Sequence, residues 1–89
     1  MVKNFELGDV VVSQKGRDAQ LTFAVVQIES QTVVRIADGE IHQLKSPKKK
    51  NVKHLKCIGK LETIGAKLTS GAKVFDSELK SALRTSKID

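Results

Sequence analysis

The feature that most constrains this chain is the spacing of its β-branched and aromatic runs. Between Val10 and Ile41, short segments rich in Val, Ile, Thr and Phe alternate with polar breaks containing Gly, Asp, Gln or Ser. That is the composition of strands separated by turns. Residues 10–13, 21–28 and 32–37 read as three strands. Asp38-Gly39 has the φ > 0 preference of a two-residue type I′ turn and leads into a fourth strand at 40–44. Pro47 and Lys48-Lys49-Lys50 are expected to interrupt pairing, after which residues 52–58 resume as an edge strand. The connections are too short for the helical crossovers of parallel pairing. The expected fold is therefore mainly β, a small antiparallel barrel of about five strands, and a βαβ enzyme fold is excluded.

Beyond Gly59 the period changes. Leu61, Ile64 and Leu68 fall at i, i+3 and i+7, with Gly71 placed to end a helix. Asp76 is expected to cap a second helix, Glu78 suits the positive end of its dipole, and Leu79, Ala82 and Leu83 share a face. Residues 1–59 are thus read as the barrel and 60–89 as a helical extension rather than an independent domain. The helices either pack on the barrel or await a partner, since isolated helices this short are marginal in water.

With 89 residues, the chain fits one domain, and a domain this small buries only about 60–65% of its unfolded surface, too little for a large catalytic cleft. One cysteine, Cys57, permits no internal disulfide, so the cytoplasm is the expected compartment. No run approaches the roughly 18 apolar residues of a membrane span, and the first residues lack a signal-peptide layout. No membrane association is expected.

The net charge is +6 and very unevenly spread. Lys45, Lys48, Lys49, Lys50, Lys53, Lys56 and Lys60 occur in 45–60 without a single acid. Lys15 and Arg17 in the first loop add to this set if folding brings the two stretches together. Such a run of like charges repels itself, and a polyanion is the partner that relieves the repulsion. The soft ligands are Cys57, His42 and His54 only, one short of a structural zinc site. No phosphate loop and no paired carboxylates occur, so neither cofactor nor enzymatic activity is expected. Cys57 is read as a small, partly buried residue, and His54 and His42 as polar edge or cross-strand residues. Asp9, Asp18 and Asp38 are explained by turns. Phe5, Phe23 and Phe75 are scattered among apolar residues and are expected in the core, which leaves no stacking platform for single-stranded RNA. The preferred partner is structured RNA, held through its phosphates.

Several of these stretches carry a resemblance. Glu6-Leu7-Gly8-Asp9-Val10-Val11-Val12-Ser13, then Lys15-Gly16-Arg17-Asp18 and Phe23-Ala24-Val25-Val26, resemble a KOW motif. Ala37-Asp38-Gly39 and Pro47-Lys48-Lys49-Lys50-Asn51-Val52-Lys53-His54-Leu55 extend the likeness to small bacterial KOW-domain RNA-binding proteins, related to archaeal and eukaryotic large-subunit ribosomal proteins. The resemblance covers about residues 5–58 and, less distinctively, the segment from Asp76 to Leu83. It implies an SH3-like barrel that binds RNA, often on the ribosome. Gly16 then matches the motif glycine, Arg17 and Asp18 its loop, and Lys48, Lys49, Lys50, Lys53 and His54 the basic segment. Gln20 stands where a glycine or basic residue is expected, and His42 where an arginine is usual after the turn.

Together these readings lead to a cytoplasmic, ribosome-associated RNA-binding protein. Its expected contacts are Lys15, Gly16, Arg17, Lys45, Lys48, Lys49, Lys50, Lys53, His54 and Lys56. The alternative is a protein-interaction module docking on ribosomal proteins or on transcription or translation factors.

Overall fold

In the computed structural model, which describes residues 5–16 and 19–86, five antiparallel strands form one sheet. They are β1 (Asp9–Ser13), β2 (Thr22–Ile28), β3 (Val33–Ala37), β4 (Lys48–Asn51) and β5 (Leu55–Lys60), in the order β4-β3-β2-β1-β5. A single 3₁₀ turn, Val52–His54, joins β4 to β5, and helices α1 (Glu62–Ser70) and α2 (Asp76–Ser86) follow. The expectation of a mainly β fold with a short helical tail holds. Strands β4 and β5 are the two edges of the sheet, so it curls around its core without closing a ring of hydrogen bonds. No helix among the described residues is long and apolar enough to cross a membrane.

The first three strands lie where the β-branched runs placed them. The hairpin expected at Asp38-Gly39 does not form. The Asp38 carboxylate accepts the N–H groups of Glu40 at 2.9 Å and His42 at 3.0 Å, and the Asp38 and Gly39 N–H groups both donate to the His42 carbonyl, at 2.9 and 3.1 Å. Residues 38–42 thus spend their polar groups on one another, and 40–44 is a loop with no strand to offer β3. Lys48–Asn51 takes that place instead, with Lys48 opposite Ile36 and Lys50 opposite Val34. The lysine run expected to stop pairing is itself an edge strand, a position where lysines deter further strand addition and where Pro47, one residue before it, costs no ladder bond. The expected fifth strand starts late, because residues 52–54 coil into the 3₁₀ turn, capped by the Asn51 side chain accepting the Lys53 N–H at 3.0 Å.

Alternation along the strands gives the sheet two buried faces. One holds Val11, Phe23, Val25, Val34 and Ile36 together with Val52 and Leu55. The other presents Val10, Ala24 and Ala37, neighbours across β1, β2 and β3, and these are covered by Ile64 of α1 and Leu79 and Leu83 of α2. Of the two arrangements open to the tail, docking is the one observed. The small side chains of Ala24 and Ala37 set a low floor that lets the helices approach. At the entry to α1 the approach is closer still, since a Cβ on Gly65 would lie 2.6 Å from the Leu7 carbonyl oxygen. Burying each of the three covering side chains contributes about 1.5–3 kcal/mol, enough to hold helices that would be marginal alone.

Candidate nucleic-acid interface

The pleat divides the lysines that looked continuous in sequence. Lys50 lies on the face of Val34, its cross-strand partner, and reaches the first loop, where its Nζ donates to the Lys15 carbonyl at 3.0 Å. The same loop is tied to the 3₁₀ turn by the Gln14 N–H, which donates to the His54 carbonyl at 2.8 Å. Gly16 turns the loop with φ 87°, and a Cβ there would come within 3.3 Å of the Lys50 Nζ. Lys15, Gly16, Lys50, Lys53 and His54 therefore share one corner of the molecule, although the loop and β4 are far apart in sequence. Partial burial, and after it the charges of Lys15, Lys53 and Lys50, hold the His54 imidazole below its ordinary value of 6.5. His54 is thus a neutral group at pH 7 inside a positive field. Among the described residues, Lys15, Lys50 and Lys53 have no carboxylate within ion-pair distance.

The other expected contacts are placed differently. Lys49 stands opposite Arg35 on the far face of the sheet, where Glu29 pairs with the Arg35 guanidinium and lies 3.8 Å from the Lys49 Nζ. The Arg35 hydrogen bond keeps the Glu29 carboxyl below the ordinary carboxylate value, so this acid stays charged beside Lys49. Lys60 pairs with Glu6, whose hydrogen bond raises the Lys60 ammonium above its usual value. Lys48 is half-buried opposite Ile36. Lys56 is exposed on β5 opposite Val12, one position along from inward-facing Leu55 and hence on the other side of the strand. Lys45 is exposed beside the start of α2. Arg17 and Asp18 lie outside the described residues. The seven lysines do not form one stripe, because side chains in a strand alternate between faces and the 3₁₀ turn breaks the alternation again.

Three further expectations need correction. His42 is no exposed cross-strand residue: it is half-buried, its ring centroid 5.5 Å from that of Phe23, because the loop fed back by Asp38 folds it over the sheet. Cys57 is exposed rather than partly buried, since β5 is an edge strand with every residue after Leu55 open to solvent. Phe75 is not in the core but 58% exposed. The turn roles read for Asp9 and Asp38 hold, Asp9 accepting the Glu6 N–H at 2.8 Å.

Among the described residues there is no group of three or more His, Cys, Asp or Glu side chains placed to hold a metal. Two shallow clefts of about 350 and 400 Å³ flank Lys60 and Glu62, and neither has His42, His54 or Cys57 in its lining. Set against known proteins, the chain matches no family model and no curated protein.

Proposed function

We propose that this protein is a cytoplasmic RNA-binding protein without enzymatic activity, which grips structured RNA, most naturally ribosomal RNA, through the corner formed by the first loop, the end of β4 and the 3₁₀ turn. The observation that carries this reading is the convergence there of Lys15, Lys50, Lys53 and His54, where among the described residues no carboxylate lies within ion-pair distance of the lysines. In a protein that otherwise pairs Lys49, Lys60, Lys67 and Lys80 with carboxylates, a corner left uncompensated suits a phosphate backbone. Lysines there act as point charges that position the RNA, while the exposed backbone of the Gly16 turn can approach a groove closely. Lys45, Lys48 and Lys56 lie elsewhere on the surface and serve at most as secondary contacts, and the paired Lys49 contributes least.

Titration of ribosomal RNA fragments at several salt concentrations tests the reading. Each phosphate contact gives a slope of log K against log salt of about −0.7 to −0.9. A salt-independent affinity, or one untouched by Lys50→Glu with Lys53→Glu, would rule it out. One feature favours protein docking as a second role: among the described residues β5 is an edge strand, and Ile58 on it is 51% exposed. Co-sedimentation with ribosomal proteins that survives ribonuclease would select that role over the first.

A further inference from the structure

Phe75 is an aromatic residue where the fold gains little from one. The Leu79 N–H donates to the Phe75 carbonyl at 3.0 Å, so Phe75 is the N-cap of α2, a position that favours Ser, Thr, Asn or Asp because their oxygens satisfy the free N–H groups of the first turn. A phenyl ring supplies no such oxygen. It packs in neither core cluster and is 58% exposed. Asp76, expected to be that cap, is instead the first residue inside the helix, and its carboxylate accepts the Leu44 N–H at 2.8 Å.

The surroundings of the ring are ordered. The Glu78 carboxylate, kept low mainly by Lys67, also accepts the Phe75 N–H, and Val74 and Leu79 on either side of the cap belong to one core cluster, the arrangement of a hydrophobic staple. The backbone under the ring is therefore fixed. Loop 38–44 is pressed against it so tightly that a Cβ on Gly39 would lie 2.2 Å from the Asp76 carbonyl oxygen. The Lys73 Nζ lies 5.4 Å from the centroid of the Phe75 ring. The acids at this end are all engaged: Glu40 with Lys80 at 3.0 Å, Glu78 with Lys67, Asp38 and Asp76 with backbone N–H groups. Lys73 and Lys45, the latter next to the Leu44 that is tied to Asp76, are exposed, and among the described residues neither has a carboxylate partner.

We propose that Phe75 is a stacking platform for one unpaired base of the bound RNA, with Lys73 and Lys45 meeting the adjoining phosphates. This rests on the RNA-binding reading and adds to it a contact that recognises single-stranded rather than helical RNA. A base presents a π-face whatever its identity, so the contact distinguishes unpaired from paired nucleotides without reading sequence. The two contacts lie within reach of one RNA: Leu44, tied to Asp76, is six residues from Lys50, at most about 20 Å of extended chain. The Lys73 ammonium over the ring, without a carboxylate partner among the described residues, favours a nucleotide, which brings a phosphate to it, over an apolar side chain of a protein.

The test uses the full chain and two RNA hairpins that differ at a single bulged position, one carrying adenine and one abasic. The unaltered protein should bind the adenine bulge about tenfold more tightly. Phe75→Ala should abolish that preference while leaving the salt slope intact, and Phe75→Trp should keep or increase it. Circular dichroism of each variant checks that α2 is still formed. Equal binding of the two hairpins by the unaltered protein, with a normal salt slope, overturns the stacking proposal and leaves RNA binding standing. Failure to bind either hairpin removes both. A photo-crosslinker at position 75 that captures polypeptide and no RNA would also overturn the proposal, in favour of a protein partner.

Discussion

The two faces of the sheet solve the same burial problem differently. On one, Phe23, Ile36 and Leu55 with four valines fill the space inside the curl using only strands and the 3₁₀ turn. On the other, Val10, Ala24 and Ala37 are too small to bury one another and depend on Ile64, Leu79 and Leu83 brought by the helices. One face is self-sufficient and the other is completed from the tail, so a segment that reads as an appendage belongs to the core. The same alternation sorts the charges. Lys50 on the first face reaches the loop corner, whereas Lys49, one residue away, meets Glu29 and Arg35 on the second.

The comparison is most severely tested by paired truncations. Phe23→Ala should cost about 3–5 kcal/mol and Leu79→Ala about 2–5 kcal/mol, both read as a shift of one cooperative urea transition. If Leu79→Ala instead melted helical signal while the sheet transition stayed in place, the two faces would be energetically separate and the dependence described above would fail. Next in size is the contrast between neighbouring lysines. Replacing Lys15, Lys50 and Lys53 together with Ala should flatten the salt slope of RNA binding by roughly two to three. Lys49→Ala should change it far less, and equal effects from Lys49 and Lys50 would erase the distinction between faces.

A smaller effect concerns Gln20, whose φ of 73° is in the left-handed region while its N–H donates to the Ser13 carbonyl at 2.7 Å. Glycine there should relieve about 1–2 kcal/mol of strain against an entropy cost of about 0.5–1 kcal/mol. The net result is a modest rise in thermal midpoint for Gln20→Gly. The smallest expected effect is that of His54. Its folded value lies below 6.5, so its contribution to stability is complete above that pH. It declines as pH falls through the folded value, because the unfolded chain takes up the proton first. RNA phosphate nearby favours the protonated ring, so affinity should rise over the same fall in pH. His54→Gln should flatten both profiles, and a binding profile unchanged by it would place His54 outside the contact.

Much of this was readable from residue order. Period-two runs located β1, β2 and β3, Asp9 and Asp38 behaved as turn residues, and Gly71 ended α1. The clustering of Lys15 with Lys50 was foreseen only as a possibility, since nothing in the order of residues brings a loop at 15 to a strand at 50. Phe75, expected in the core because it stands among apolar residues, is exposed because it lies just outside the first turn of α2, off the face that Leu79 and Leu83 bury.

Local patterning therefore located β1, β2, β3 and the two helices, because those preferences depend on backbone sterics and on side-chain periodicity within a few residues. Tertiary structure alone decided which segment pairs with β3. Two candidates followed it in the chain, and the one that Asp38 folded back on itself had its Glu40 and His42 N–H groups already engaged. The partition of the lysines followed from that choice: once 48–51 became the edge strand, the pleat assigned each ammonium to a face that the composition of the run could not specify.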